Sequence, residues 1–341
     1  MDALERLIAE LHDTDAAGTI SPKDLIANVV SQAFSDELDQ VDQDVVSNLL
    51  LGSPTSIPKS LLCYVTDNVS NKDKSHVEGR KDALKAIALY VKKKGSLVDM
   101  FGVDAFTSLS DHFKKEEGCD QVKTEYIPVL MNLLRHCTFE PASINLDKFF
   151  VDIFKELKNT KTKSQGLREG MFKLLGMLTS IFAESNIIIQ NAPELVKFAM
   201  KELEKNMNES TAPSFAVIAG VLSCLDRCML VNFGQNFVGK DLFTYVLKGV
   251  SSASQEDTKR YAVARKSLRF LKNHASKFQN LIGLNAETVY GEVNKCYRQE
   301  KDTLKKYSED TLCMMLQQIS YAVVLRYSLL HLLYLYILLS Q

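Results

Sequence analysis

Residues 259–278 read KRYAVARKSLRFLKNHASKF, and the fold class of the chain follows from this stretch. On a helix of 3.6 residues per turn, one flank carries four apolar or aromatic side chains: Tyr261, Ala264, Leu268 and Leu271. Val263 and Phe270 fall on the opposite flank. Because two separate surfaces of one helix need burial, the pattern is typical of a helix inside a stack of helical repeats.

The same stretch is strongly basic. It holds seven Lys and Arg residues and no acid. Arg265, Arg269 and Lys272 stand at i, i+4 and i+7 and therefore share one face of the helix. We name the candidate binding cations of this helix the basic ridge, which consists of Lys259, Arg260, Arg265, Arg269 and Lys272.

The composition agrees with an all-α fold. The chain has 341 residues, of which 46% are hydrophobic and 24% charged, so it can form a large core and is not of the disordered class. Fifteen Gly and seven Pro are low counts for this length, and alternating Val, Ile and Thr runs are scarce. A net charge of −1 gives no global sign of a polyanionic partner, although acids dominate residues 1–60.

Apolar spacing changes phase at short polar breaks along the chain, and each interval resembles one helix. Pairs of intervals recur at roughly 40 residues, the period of HEAT and armadillo repeats, which predicts an all-α helical-repeat solenoid. Helix starts are predicted at Pro22, Pro193 and Pro213, and Asp241 is predicted to cap a helix. The predicted helices lie near residues 4–12, 22–34, 37–51, 58–69, 77–94, 98–114, 121–137, 145–158, 166–184, 193–207, 213–231, 241–251, 259–277 and 285–320.

Four pieces of sequence, in this order and at this spacing, carry a resemblance to a known family. They read FAVIAGVL at 215–222, LFTYVLK at 242–248, KRYAV at 259–263 and HASKF at 274–278. Together they resemble the N-terminal HEAT-repeat region of the DNA-dependent protein kinase catalytic subunit family, within the phosphatidylinositol-3-kinase-related kinases. A weaker likeness upstream extends the resemblance to about residues 10 to 320.

The resemblance implies a non-catalytic arm, a fragment or short form of a much longer nuclear kinase. Such an arm cradles double-stranded DNA ends together with the Ku heterodimer and other end-joining proteins in double-strand break repair. Kinase motifs such as His-Arg-Asp and Asp-Phe-Gly are absent from the sequence, so we expect no kinase activity. Lys259, Arg260 and Arg269 stand at positions that match the family pattern, whereas Arg265 and Lys272 do not.

The basic ridge suggests contact with a phosphate backbone without reading of base sequence, because each neutralised phosphate releases counterions. Two other interpretations stay open: the cations form a solvated helix face, or they pair with acids on a neighbouring repeat. A rival function is that of a HEAT or armadillo protein-protein scaffold without a nucleic-acid role, which the acidic residues 1–60 suit equally well.

Other motifs predict neither catalysis nor a cofactor. Residues 234–241, GQNFVGKD, mimic a phosphate-binding P-loop until Asp241, which replaces the hydroxyl that should bind Mg²⁺, so we interpret them as an inter-helix loop. Cys224 and Cys228 share a helical face, but no second Cys or His pair stands at zinc-ligand spacing, which predicts core positions. We predict no catalytic residue, no metal site and no cofactor.

The cysteines predict a reducing environment. The chain has seven of them, an odd number that is scattered and lies mostly inside apolar runs. This pattern predicts buried free thiols rather than a disulfide framework.

The end of the sequence differs from the rest, and we divide the chain into a solenoid at 1–320 and a divergent apolar tail at 321–341. Residues 321–339 are apolar on all sides apart from Arg326, Ser328 and His331, and their length is close to that of a membrane span. Three interpretations stay open: non-native sequence from a truncated or misjoined gene model, a buried terminal helix, and a membrane anchor. Arg326 and the scattered Tyr residues disfavour the anchor.

Overall fold

The computed structural model describes residues 56–94, 99–159, 164–208, 213–253, 257–298, 306 and 308–313. Over these ranges the backbone forms helices, turns and loops but no strand, so the all-α prediction is confirmed. The three predicted helices before residue 56 lie outside the described ranges. The helices are α1 (Ser56–Asp67), α2 (Lys74–Lys94), α3 (Asp99–Lys115), α4 (Asp120–His136), α5 (Leu146–Lys158), α6 (Gln165–Ile181), α7 (Asn186–Asn208), α8 (Phe215–Leu230), α9 (Lys240–Ser251), α10 (Thr258–His274), α11 (Gln279–Leu284) and α12 (Ala286–Tyr297).

Capping residues set several helix starts. Ser214 caps α8, and its Oγ accepts a hydrogen bond from the Val217 amide at 3.3 Å. The start predicted at Pro213 is therefore early, because a serine one residue later offers the orphan amide an acceptor. At α9 the predicted cap, Asp241, was wrong. Gly239 is the N-cap, and Asp241 lies in the first turn, where its charge favours the positive end of the helix dipole.

The start predicted at Pro193 was also wrong. Pro193 lies inside α7, which begins seven residues earlier at Asn186. A proline inside a helix removes one backbone hydrogen bond. The helix continues through it because its apolar face is buried on both sides of the proline, by Ile188, Ala192, Leu195 and Val196.

The helix predicted over residues 285–320 is interrupted. It ends as α12 at Tyr297, and helical structure is described again at residues 308–313. Residues 299–305 and 307 lie outside the described ranges. The short helix α11 and the 3-10 turn Ala275–Phe278 were not predicted.

The described part of residues 1–174, one compact unit, consists of stacked helix pairs. α1 packs on α2 and α3, α2 packs on α4, and α3 packs on α4 and α5. Aromatic side chains fill these contacts. Phe106 of α3 meets Phe149 of α5 with ring centroids 5.3 Å apart, and Phe113 of α3 meets Tyr126 of α4 at 6.0 Å. Each of the helices α1 to α4 thus contacts both its chain neighbour and the equivalent helix of the next pair, which is the contact pattern of a helical repeat.

Residues 175–341 form the second unit, and their described part repeats this arrangement. α7 packs on α8 and α9, α8 packs on α10, and α9 packs on α10 and α12. Among the described residues, successive pairs of helices in sequence begin at Ser56, Asp99, Leu146, Asn186 and Lys240. The chain is an all-α helical-repeat solenoid of the HEAT and armadillo kind.

The predicted free thiols are confirmed, but their predicted burial holds only in part. All seven cysteines are free; five are buried, and Cys63 and Cys313 are exposed. Among the helices that the structure describes, none is long and apolar enough to cross a membrane. The tail at 321–341 lies outside the described residues, so its role and the boundary at residue 320 stay predictions.

Candidate nucleic-acid interface

Helix α10 is buried on both predicted flanks. Ala264, Leu268 and Leu271 on one flank are fully buried, and so are Val263 and Phe270 on the other, whereas Tyr261 of the first flank is half-buried. Helices α8 and α9 both pack on α10 and contribute to this burial. At the contact with α9, Gly249 lies directly against Ser267, and any side chain at Gly249 would collide with it. The strip that remains open on α10 carries the basic ridge.

The five ridge residues differ in exposure. Lys259 and Arg260 belong to the first turn of α10 and are exposed. Asp257 caps this turn, and its Oδ1 accepts hydrogen bonds from the amides of Lys259 at 2.8 Å and Arg260 at 3.2 Å. Arg265, Arg269 and Lys272 follow along the helix and are half-buried.

The Arg260 side chain contacts two neighbouring side chains. Its Nε lies 3.5 Å from Oδ2 of Asp257, and its guanidinium carbon lies 5.1 Å from the ring centroid of Phe215 on α8. Half of the Arg260 side chain is exposed, so the ion pair is strongly screened by water. These contacts orient Arg260 without withdrawing it from solvent.

Arg269 is bound to a buried acid. Its Nε lies 3.3 Å from Oδ2 of Asp226 on α8, and the Asp226 side chain is only 7% exposed. The other oxygen, Oδ1, accepts a hydrogen bond from Asn273 Nδ2 at 2.9 Å and lies 3.0 Å from His274 Nε2. Three side chains from the last turns of α10 therefore converge on one carboxylate of α8.

Lys272 is paired with an acid that comes much later in the chain. Its Nζ lies 2.6 Å from Oδ2 of Asp310, in the helical segment 308–313. Thr311 of that segment is buried, and its Oγ1 donates to the backbone oxygen of Leu268 at 3.1 Å. The segment is thus fixed against α10 beside the ridge.

The interpretation of the ridge as cations paired with neighbouring acids holds for part of it. Arg269 and Lys272 pair with acids of other helical segments, and Arg260 pairs with the cap of its own helix. Within the described ranges, the side chains of Lys259 and Arg265 have no ion-pair partner. These two residues are the ridge cations most available to an external anion.

Sequence reasoning missed the acids that hold the ridge. Asp226 is a single acid within an apolar run, VLSCLDRCML at 221–230, and such a position indicates a buried partner. Asp310 offered no comparable signal, because it stands in a polar stretch.

Beyond the ridge, Lys277 also binds α8. Its Nζ donates to the backbone oxygen of Met229 at 2.6 Å, in the last turn of α8. Burial lowers the pKa of Lys277, because removal from water disfavours the charged ammonium. Lys277 therefore satisfies a backbone carbonyl at the end of α8 and directs its ammonium towards that helix.

The motifs that mimic other sites occupy structural positions. Gly234 has a left-handed backbone, and a 3-10 turn at Gln235–Phe237 joins α8 to α9, so the interpretation as an inter-helix loop is confirmed. Cys224 and Cys228 are fully buried, as predicted. No group of His, Cys, Asp and Glu suited to a metal ion occurs among the residues that the structure describes.

The family model described as DNA-PKcs, N-terminal, matches residues 56–337. The chain belongs to the DNA-PKcs N-terminal family. Two relatives are DNA-dependent protein kinase catalytic subunits, from Xenopus laevis at 27% identity and from Mus musculus at 25%, each over 271 residues. Both matches cover 77% of this chain but only 6% of the relative.

Two solved structures are similar to this member of the DNA-PKcs N-terminal family. A designed armadillo repeat protein has a TM-score of 0.46 at 13% identity, covering 74% of this chain and 99% of its own. An engineered protein has a TM-score of 0.41 at 14% identity, covering 92% of this chain and 93% of its own.

Proposed function

We propose that this chain is a non-catalytic arm that binds the ends of double-stranded DNA in double-strand break repair by end joining. Membership of the DNA-PKcs N-terminal family supports the proposal. The observation that carries it is α10, which is buried on two sides and presents a strip of cations along the third. In this proposal the chain works in the nucleus, alongside the Ku heterodimer and other end-joining proteins, and has no kinase activity of its own.

The mechanism is electrostatic. Lys259 and Arg265 have no ion-pair partner within the described ranges, so they can neutralise phosphates without first losing a protein contact. The Arg260 side chain is half exposed, so its ion pair with Asp257 is weak. Arg260 can therefore exchange Asp257 for a phosphate at little cost in free energy. Because such contacts touch the sugar-phosphate backbone, binding depends on salt and ignores base sequence.

The test compares a blunt-ended duplex with a closed circle of the same sequence, using the full chain and fluorescence anisotropy over a range of salt. Salt-sensitive binding that favours the ends supports the proposal, and absence of binding at low salt overturns it. The double reversal K259E/R265E should reduce the salt slope by about 2, since two phosphate contacts are lost. The control is K197E/K201E, which reverses two exposed lysines of α7 and should leave the slope unchanged.

A protein-protein scaffold without a nucleic-acid role is the second candidate. The observation that favours it is the pairing of Arg269 and Lys272 with Asp226 and Asp310, which uses two ridge cations inside the protein. The duplex titration separates the two candidates, because a scaffold predicts no binding at any salt concentration. A membrane-anchored scaffold would depend on residues 321–339, which lie outside the described residues.

A further inference from the structure

Asp226 is an acid in a place where an unpaired charge would be costly. It lies on α8 between Leu225 and Arg227, and its side chain is almost fully buried. An ionised carboxylate is tolerated in such a position only when charged and hydrogen-bonding groups satisfy it. Here all of those groups come from α10.

The two carboxylate oxygens are used differently. Oδ1 is taken by Asn273 and by His274, whose side chain is 1% exposed. Oδ2 is contacted by Arg269, whose side chain is 41% exposed. The Arg269 side chain on Oδ2 therefore reaches solvent, whereas the His274 ring on Oδ1 does not.

The contact between Asp226 and Arg269 uses Nε of the guanidinium. Arginine has five N–H donors in a rigid planar fork, so the two terminal nitrogens keep their four donors. A pair of such donors matches the two oxygens of a phosphate. Asp226 thus contacts the guanidinium at Nε, while 41% of the Arg269 side chain stays exposed to solvent.

Lys272 lies on the same face of α10 as Arg269, but its pairing with an acid has a different consequence for phosphate binding. Its ammonium lies 2.6 Å from Asp310, and it has no second charged end to offer. An external phosphate would have to compete with Asp310 for this charge. Arg269 can keep its acid and still bind a phosphate.

We propose that Asp226 is a positioning residue that fixes Arg269 as a preorganised phosphate-binding residue of the ridge. The proposal rests on the proposed function and deepens it, because it states how one cation of the ridge meets the DNA backbone. Preorganisation lowers the conformational entropy that an arginine loses on binding. Asn273 and His274 do not contact Arg269 in this scheme; they position Asp226 through their contacts with its Oδ1.

The test measures binding of the full chain to a blunt-ended duplex for wild type, D226N, D310N and R269Q. Simple electrostatics predicts that removal of either acid raises affinity for a polyanion. Positioning predicts the opposite sign for D226N alone: affinity falls about fivefold to tenfold, with the salt slope retained because Arg269 stays charged. D310N is the control, because it makes the same charge change at the acid that pairs with another ridge cation, and it should bind more tightly.

Thermal denaturation followed by circular dichroism shows whether D226N is folded. A second variant, R269K, tests the proposal even if D226N unfolds. R269K leaves Asp226 with Asn273 and His274 and retains the positive charge. Because a lysine lacks the planar fork that contacts Asp226 and a phosphate through separate edges, R269K should bind more weakly than wild type, and R269Q, which also loses the charge, more weakly still. In the R269Q background, D226N should cause no further loss.

The possible failures are distinct. If wild type does not bind the duplex, the proposed function fails, and the positioning role fails with it. If wild type binds but D226N raises affinity as D310N does, or R269K binds like wild type, only the positioning role is overturned.

Discussion

Arg80 and Glu116 form an ion pair in which neither side chain reaches solvent. Nη2 of Arg80 lies 2.5 Å from Oε1 of Glu116. Nη1 of Arg80 donates to the backbone oxygen of Asn71 at 2.8 Å, and the amide of Ser70 donates to Oε1 of Glu116 at 3.3 Å. The pair therefore ties α2 both to the end of α3 and to the loop that follows α1.

This relationship predicts that E116Q strongly destabilises the unit formed by residues 1–174. The substitution keeps the shape but leaves Arg80 with an uncompensated buried charge. Breaking a buried ion pair costs about 3–5 kcal/mol of unfolding free energy. Urea unfolding followed by circular dichroism measures the change.

The control for E116Q is D111N, which removes an acid from the exposed pair between Lys148 and Asp111. Exposed pairs contribute about 0–1 kcal/mol. The buried pair has no special role in stability if E116Q and D111N shift the unfolding midpoint equally.

A second prediction concerns the contact between α6 and α8. A Cβ on Gly176 would lie 2.7 Å from the Cα of Cys224, which is backbone and cannot rotate away. G176A should therefore force the helices apart and lower the unfolding free energy by about 1–3 kcal/mol.

Gly291 provides the matched control for Gly176. It lies in α12, and a Cβ there meets no atom within 4 Å. Alanine is the better helix former, so G291A should raise the unfolding free energy by about 0.5–1 kcal/mol. A destabilising G176A beside a stabilising G291A would show close packing at Gly176, whereas a stabilising G176A would contradict it.

Local periodicity explains what could be predicted about the fold. The spacing of Val263 and Phe270 against Leu268 and Leu271 predicted burial on two flanks of α10, because side-chain direction in a helix depends only on position. The start at Pro193 was predicted wrongly, since a rule about one residue competed with the burial of a whole helix face.

The partners of the ridge could not be predicted in the same way. His274 and Asp226 are 48 residues apart in sequence, and Lys272 and Asp310 are 38 apart. Such pairs depend on which helices stack and at what register, and a single sequence carries no direct signal of either. The sequence therefore identified the cations of the ridge, but not which of them are already paired with acids of the protein.

A third prediction concerns Cys296 and pH. Burial, followed by the nearby charge of Glu292, raises the pKa of the Cys296 thiol from its ordinary value of 9.0 to about 11. Because the folded value lies above the unfolded one, this group's contribution to stability is complete below pH 9 and is lost as pH rises through 11. The unfolding free energy of wild type should therefore fall relative to that of C296V, which has no thiol to titrate, over that interval.

Thiol labelling provides an independent check on Cys296. Iodoacetamide at pH 8, followed by mass spectrometry, should modify the exposed Cys63 and Cys313 in the native chain and reach Cys296 only after unfolding. Rapid labelling of Cys296 in the folded chain would contradict its burial.

The last prediction concerns Asp310 as an internal competitor for DNA. Lys272 and Asp310 are 36% and 37% exposed, so their ion pair is weak enough for an external phosphate to replace it. D310N should free Lys272, raise duplex affinity about threefold and steepen the salt slope by about 1, because one more phosphate is neutralised. D111N makes the same charge change on the exposed pair with Lys148 and should alter neither quantity. If D310N leaves affinity and slope as in wild type, Lys272 lies outside the DNA contact and the ridge ends at Arg269.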